Sequence, residues 1–355
     1  MKKIKMILAM PSHSNFATPI QDNLKYHNFD IEFINSSPEH LKRLKLPFTI
    51  SICHFFRKIF HVNASTYKTE AKQFLKNQII VKEINDKLSN QNFDYALVIR
   101  PDLFSLTQLE LIKTYTYQKF IGYQWNGLGR FPDTLFSIKL FDRFFIFDHT
   151  DLSNPDYASY PLLGCTNFYF DMYQPQPIAH HGIIAYFVGL HFDERSMSIN
   201  FCAQELVKHG IILDFNIKFR HGEQNAHLQY PSKEIKFIKK NIDFDENIKR
   251  INQSDILVDV VNPIHNGLSF RTFEALYYEK KLITNNKMVQ NYDFYHPNNI
   301  LIWDGQDLTG LTAFLAKPFT PIDKKIVEKY GFKNWIKNIL DLPPYQLIRL
   351  PDSFD

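Results

Sequence analysis

The chain of 355 residues is poor in the features that most readily mark a biochemical class. Its three cysteines, Cys53, Cys165 and Cys202, are isolated and form no Cys-x-x-Cys pair, which argues against a disulfide framework and a thiolate zinc site and points to a cytoplasmic setting. Glycine is scarce, at 12 residues, and no Gly-x-Gly-x-x-Gly follows a strand, which counts against a nicotinamide enzyme. A Walker phosphate loop and a Gly-x-Ser-x-Gly elbow are absent too. Histidine shows no metal spacing: His180 and His181 are adjacent, and no His-Glu-x-x-His occurs. No stretch approaches the ~20 uninterrupted apolar residues that cross a bilayer, so a membrane role is peripheral. The start, Met1 to Pro11, has the charge of a secretory leader, but Pro11 stops its apolar run and it reads better as a first buried strand. A net charge of +4 is too slight to imply a nucleic-acid partner.

What the chain does have is aromatic bulk. With 33 Phe, 18 Tyr, 45% hydrophobic and 22% charged residues it is globular and can pack a deep core, with a surplus of rings for binding surfaces. Its length suggests two domains.

Short apolar runs alternate with amphipathic stretches, the rhythm of a parallel sheet. Lys5–Met10, Asp30–Ile34, Asp94–Ile99, Lys119–Gln124 and Phe144–Phe147 read as strands of a first Rossmann-like domain, with Pro19–Tyr26 as a helix. The Pro- and Asn-rich text from Asp151 ends in Gln174-Pro175-Gln176-Pro177, which looks like a linker. A second series follows: strand Ile183–Gly189, helix Glu194–His209, strands Ile211–Ile217 and Ile256–Val260, helix Phe270–Tyr277 and strand Lys281–Thr284. Ile322–Leu340 has helical spacing and is expected to pack back on the first domain. The expected class is therefore α/β, with two Rossmann-like domains facing across a cleft: residues 1–177, residues 178–321, and a helix and tail at 322–355. No short-period repeat points to a solenoid.

One segment concentrates the chemistry. After the strand near Val260 the chain passes Asn266 and Gly267 into a helix whose first turns carry Ser269, Arg271, Thr272 and Glu274. A helix N-terminus aimed at a crevice is an anion site. Gly267 permits close backbone approach, Arg271 can fork onto phosphate oxygens, and Glu274 can accept from two ribose hydroxyls. The plainer alternative is that Ser269 caps the helix and Arg271 pairs with Glu274 at the surface.

Gly267-Leu268-Ser269-Phe270-Arg271-Thr272-Phe273-Glu274-Ala275-Leu276, followed by Lys280–Asn286, resembles the donor-site helix and following strand of GT-B glycosyltransferases of bacterial lipopolysaccharide and capsule synthesis. Asp94–Asp102, Tyr123–Asn126, Phe141–Arg143, Phe147-Asp148, Tyr186–Gly189 and Tyr292–Ile300 are similar to that group in order and type, so the likeness touches most of the chain. The resemblance implies a metal-independent enzyme without a cofactor, using a nucleotide-sugar co-substrate and a glycan or lipid-linked glycan acceptor. In many retaining members the donor helix reads Glu, seven residues, Glu. The ribose role carries over to Glu274, whereas Asn266 stands where the first acid would be and supplies no negative charge. Donor sugar and stereochemical outcome stay open, as do a nucleotide-sugar epimerase of the same fold and a non-catalytic binding protein.

Further candidates flank this segment. Gly189 and Arg195 sit where the second domain's first strand meets its helix, and Lys218 and Arg220 follow the next strand; all are nucleotide candidates. Arg195 is equally readable as a solvated helix residue. His13, after the first strand, suits a general base for an acceptor hydroxyl, with Asp102 as its rival. Arg100, Trp125 and Asn126 are acceptor-binding candidates, Trp125 by stacking on a sugar. Asp243-Phe244-Asp245 looks like the metal-binding Asp-x-Asp of the other major glycosyltransferase fold, but it precedes a helix and reads as an N-cap. Cations and apolar residues interleave from His40 to Phe60, including Lys42, Arg43, Lys45, Arg57 and Lys58. That stretch reads either as a helical pair packed on its own domain or as a rest on an anionic membrane at the inner face of the cell.

Overall fold

The computed structural model describes residues 3–12, 15–42, 44–48, 50, 64–223, 225–261 and 266–351. His13, Arg43, Cys53, Arg57 and Lys58 lie outside these residues.

Strands β1 (Ile4–Met10), β2 (Phe29–Asn35), β3 (Phe93–Ile99), β4 (Thr116–Gln124), β5 (Arg143–Ile146) and β6 (Leu162–Gly164) form one six-stranded sheet in the order β2-β1-β3-β4-β5-β6. The β1–β2, β1–β3 and β3–β4 pairs are parallel. Ala96, Leu97, Val98 and Ile99 are all fully buried, as expected where helices cover both faces of a parallel sheet. Helices α1 (Ala17–Tyr26), α2 (Ala64–Leu88) and α3 (Leu106–Thr114) supply the covering, and α3 begins with a capping box between Ser105 and Gln108.

Strands β7 (Ile184–Leu190), β8 (Ile212–Lys218), β9 (Ile235–Ile238), β10 (Ile256–Asp259), β11 (Lys281–Thr284) and β12 (Ile300–Ile302) form a second sheet, ordered β12-β11-β10-β7-β8-β9, with every pair parallel. Its helices include α4 (Asp193–Lys208), α5 (Phe244–Gln253) and α6 (Phe270–Tyr277). Phe187, Ile199, Phe215, Ile256, Ile283 and Trp303 centre its core.

The compact units are Met1–Gln124 with Phe131–Phe144, and Trp125–Arg130 with Phe145–Asp355. Residues 145–177, placed with the first domain by composition, thus group with the second unit. The expected single helix over 322–340 is two, α7 (Lys324–Lys329) and α8 (Phe332–Leu340), broken at Tyr330-Gly331. There the backbone turns aside to form a parallel bridge with Tyr169, whose N–H donates to Tyr330 O at 3.1 Å and whose carbonyl accepts from Phe332 N at 2.9 Å. A Cβ on Gly331 would stand 3.0 Å from the Tyr169 hydroxyl, so glycine permits the approach. Helix α8 docks within the second unit, on the segment that composition placed with the first domain: Trp335 Nε1 donates to Thr166 O at 2.9 Å, and the indole meets Phe168 at 4.3 Å.

Candidate functional site

In the second sheet the strand order reverses at β7, with β8 on one side and β10 on the other. Ligands of open α/β sheets bind outside the carboxyl ends of the strands at such a reversal. A cavity of about 370 Å³ lies there, lined by Arg195, Ser198, Asn266, Asn285, Asn286 and Lys287, with Glu194, Val261 and Met288 completing it. Amides wire its loops together. Asn285 Oδ1 accepts from Val261 N at 2.7 Å, and Asn286 Nδ2 donates to Asn266 O at 3.1 Å.

Arg195 spans the reversal. Its Nη2 donates to the carbonyl of Leu190, the last residue of β7, and its Nη1 to Val260 O just past the end of β10 at 3.2 Å. Its Nε is buried with no partner among the described residues. Burial pulls the guanidinium below its usual value, against the opposing pull of Asp259. Gly189 makes room for it, since a Cβ there would lie 2.8 Å from Arg195 Nη2. The structure therefore brings together Arg195, Gly189 and Asn266 of the residues singled out in the sequence. Ser198 and Lys287 join them, with Asn285 and Asn286, which enter the sequence reading only as the end of the Lys280–Asn286 segment. Asn285-Asn286-Lys287 follows β11 just as Val260–Asn266 follows β10, so the strand-end rule would have found them.

The turn into α6 is held differently from expectation. Asn266 N donates to the buried Asp148 Oδ2 at 2.8 Å, and a Cβ on Gly267 would stand 2.4–2.5 Å from ring atoms and the carbonyl oxygen of Phe147. The close approach that demands glycine is thus to Phe147. Leu268 is 2% exposed and its carbonyl accepts from Asn167 Nδ2 at 2.9 Å, so it belongs to the core. Ser269 is the N-cap residue but its hydroxyl caps nothing; Ser269 Oγ and Thr272 Oγ1 are buried with no partner among the described residues.

Arg271 and Glu274 face each other inside the fold rather than on the surface. Arg271 Nη1 lies 2.9 Å from Glu274 Oε2, Nη2 donates to Asn247 Oδ1 at 3.4 Å, and the guanidinium rests 4.8 Å from the Tyr186 ring centroid. Burial lowers the Arg271 pKa, but Glu274, Tyr186 and Asp259 outweigh it and the net shift is upward. Asn247 Nδ2 donates to Glu274 Oε1 at 3.2 Å and its Oδ1 accepts from the Tyr186 hydroxyl at 2.9 Å. Burial pushes the Tyr186 phenol up to about 12, with Glu274 adding to it against Arg271. A carboxylate has about four acceptor sites, two per oxygen, so Glu274 keeps capacity on both.

Past the ends of β7 and β8 a second cavity of about 480 Å³ is lined by His191, Asp193, Arg220, Glu223, Asn225 and Gln229, among others. Arg220 pairs with Glu223 at 3.3 Å and lies 4.5 Å over Phe192, and Lys218 Nζ bonds Asn241 Oδ1 at 2.5 Å. In the first unit, Arg100 adopts φ +63° and binds Asp102 at both ends, Nε to Oδ1 at 2.7 Å and Nη2 to Oδ2 at 2.6 Å. Gln124 Nε2 adds a third bond to Asp102 Oδ1 at 2.8 Å. In the second unit the Trp125 ring meets Phe270 edge-on at 6.1 Å, beside the start of α6, and Asn126 is half-buried. Asp243 accepts from Glu246 N at 2.8 Å and caps α5. Among the described residues, no group of three His, Cys, Asp or Glu could hold a metal ion. No described helix is long and apolar enough to cross a membrane.

No protein-family profile and no curated protein matches the sequence. Solved structures do match the fold. A putative UDP-N-acetylglucosamine 2-epimerase from Listeria monocytogenes is similar over 100% of both chains at 10% identity, with a TM-score of 0.53. AviGT4, a glycosyltransferase involved in avilamycin A biosynthesis, is similar over 95% of this chain and 96% of its own at 9% identity, with a TM-score of 0.56. An alpha-glucosyltransferase in complex with UDP covers 92% and 91% at 11% identity, with a TM-score of 0.55. With its two six-stranded parallel sheets, the chain has the GT-B fold.

Proposed function

We propose that the chain is a metal-independent glycosyltransferase that takes a sugar from a nucleotide-sugar donor and adds it to a bacterial surface glycan such as lipopolysaccharide, capsule or exopolysaccharide. The observation that carries this reading is the cavity at the β7/β10 reversal, where Arg195 and Lys287 offer cations beside three asparagine amides. The diphosphate would lie against Arg195 and Lys287, the ribose against Glu274, and the sugar hydroxyls against Asn266, Asn285 and Asn286. Neutralising the departing diphosphate is the main catalytic contribution such a site makes. His13 is the candidate base for the acceptor hydroxyl, and Trp125 and Asn126 are candidate acceptor contacts. The basic, aromatic stretch from His40 to Phe60 supports a lipid-linked acceptor at the inner face of the membrane.

Calorimetry with UDP, CDP, GDP, ADP and TDP tests the core of this. One of them should bind with a Kd of roughly 1–100 μM, and Arg195→Ala should weaken it at least tenfold, about 1.4 kcal/mol. If none binds at millimolar concentration, the reading fails. A second reading, a nucleotide-sugar epimerase, is favoured by the end-to-end fold likeness to the Listeria monocytogenes protein. Incubation with nucleotide sugars separates the two. Isomerised sugar without acceptor marks an epimerase, acceptor-dependent release of nucleotide marks a transferase, and binding without turnover marks neither.

A further inference from the structure

We infer that Asn247 is the positioning residue that aims the Glu274 carboxylate, and with it the protein's preference for ribose over 2′-deoxyribose nucleotides. This rests on the proposed nucleotide site.

Asn247 sits in the first turns of α5, on an element distinct from β7 and α6, which carry the groups it touches. Its carbonyl oxygen accepts from the Tyr186 hydroxyl and from Arg271 Nη2, at 2.9 and 3.4 Å. Both partners are donors at those contacts, so the amide can be oriented only one way, with its NH₂ toward Glu274 Oε1 at 3.2 Å. Asn247 thus contacts Tyr186, Arg271 and Glu274 together.

The chemistry explains why an amide is needed. Glu274 is 7% exposed, and a buried carboxylate is oriented by whatever hydrogen bonds it accepts. Arg271 holds Oε2 as an ion pair at 2.9 Å, and Asn247 donates a hydrogen bond to Oε1 at 3.2 Å. Each oxygen keeps at least one acceptor site, the arrangement two vicinal hydroxyls require. An apolar side chain at 247 would free Oε1 to rotate, and an acid would repel it. The other charged groups around this cluster are Arg250, held by Asp214 and Glu246, and Asp259, which acts on Arg271.

The test uses the full chain and whichever of UDP, CDP, GDP, ADP and TDP binds tightest, with its counterpart that differs at the 2′-hydroxyl. Wild type should prefer the ribonucleotide by roughly tenfold, one neutral-to-charged hydrogen bond. In Asn247→Leu the preference should collapse to within about twofold while the melting temperature shows a folded protein. In Asn247→Asp it should fall at pH 8 and recover toward pH 5, where one of two adjoining carboxyls takes a proton and donates to the other. A preference unchanged in folded Asn247→Leu overturns the inference. If that variant does not fold, an Asn247→Asp preference that is flat from pH 5 to 8 overturns it instead. Wild type that binds none of the five sinks the nucleotide site itself, and wild type that binds without preference sinks only the ribose assignment and Asn247 with it.

Discussion

The first unit pairs Arg100 with Asp102 and the second pairs Arg271 with Glu274, and in each the guanidinium lies on a ring: Phe131 at 4.2 Å, Tyr186 at 4.8 Å. By charge and burial they are alike. They differ in remaining capacity. Asp102 accepts three hydrogen bonds, two from Arg100 and one from Gln124, so its acceptor sites are nearly filled. Glu274 has one contact on each oxygen. A buried ion pair alone therefore says little about ligand binding; the unfilled acceptor sites beside it do.

Three substitutions probe that difference. Arg100→Ala should have the largest effect on stability, about 3–5 kcal/mol, because it strands a buried carboxylate, and should leave nucleotide affinity within about twofold. Chemical denaturation and calorimetry read both. Arg271→Ala should cost about 2–4 kcal/mol and also weaken nucleotide binding tenfold or more; equal affinities in the two variants would erase the distinction between the pairs. Glu274→Gln should lose about tenfold in affinity and about 2–4 kcal/mol in stability, since it leaves the buried Arg271 without its counter-charge and turns an amide NH₂ toward either Arg271 or Asn247.

Asp151 sharpens the contrast from the other side, as a buried carboxylate held by the Leu128 N–H at 2.9 Å. Burial raises it to about 6 from 3.8; the Leu128 bond opposes this and the Asp148 charge adds to it. The folded state thus holds a proton that the unfolded chain releases, and stability falls as pH rises from about 4 through 6. Asp151→Asn should raise the melting temperature at pH 7 by roughly 2 °C, allowing for solvent screening, and by nothing below about pH 4. An equal gain at both pH values would contradict the raised carboxyl.

The parts of the fold legible in the sequence were those whose burial is written as continuous apolar runs. α6 and β11 begin and end where their periodicity does, and β1, β3, β7 and β10 deviate by a residue or so. β9 and β12 escaped because three or four residues at a sheet edge leave too short a pattern. α2 escaped because its fully or nearly buried residues, Ile80, Ile84 and Leu88, fall only in its C-terminal part. In the site, Arg195 and Asn266 were readable because they follow strands, whereas Asn247 was not, because only the folded chain sets α5 against α6. The sequence also suggested that Gly267 makes room for a ligand, when its neighbour is Phe147, 120 positions earlier.

The docking of α8 has a consequence for biosynthesis. Thr166 waits for Trp335, which lies 169 positions later in the chain. At ~5–20 residues per second the ribosome takes on the order of ten to thirty seconds to supply it. During that interval Phe168 and Phe170, each 5% exposed or less once folded, have nothing from α8 to cover them. The second unit is therefore finished only after translation reaches α8, and the nascent chain presents an aromatic stretch well suited to a chaperone until then.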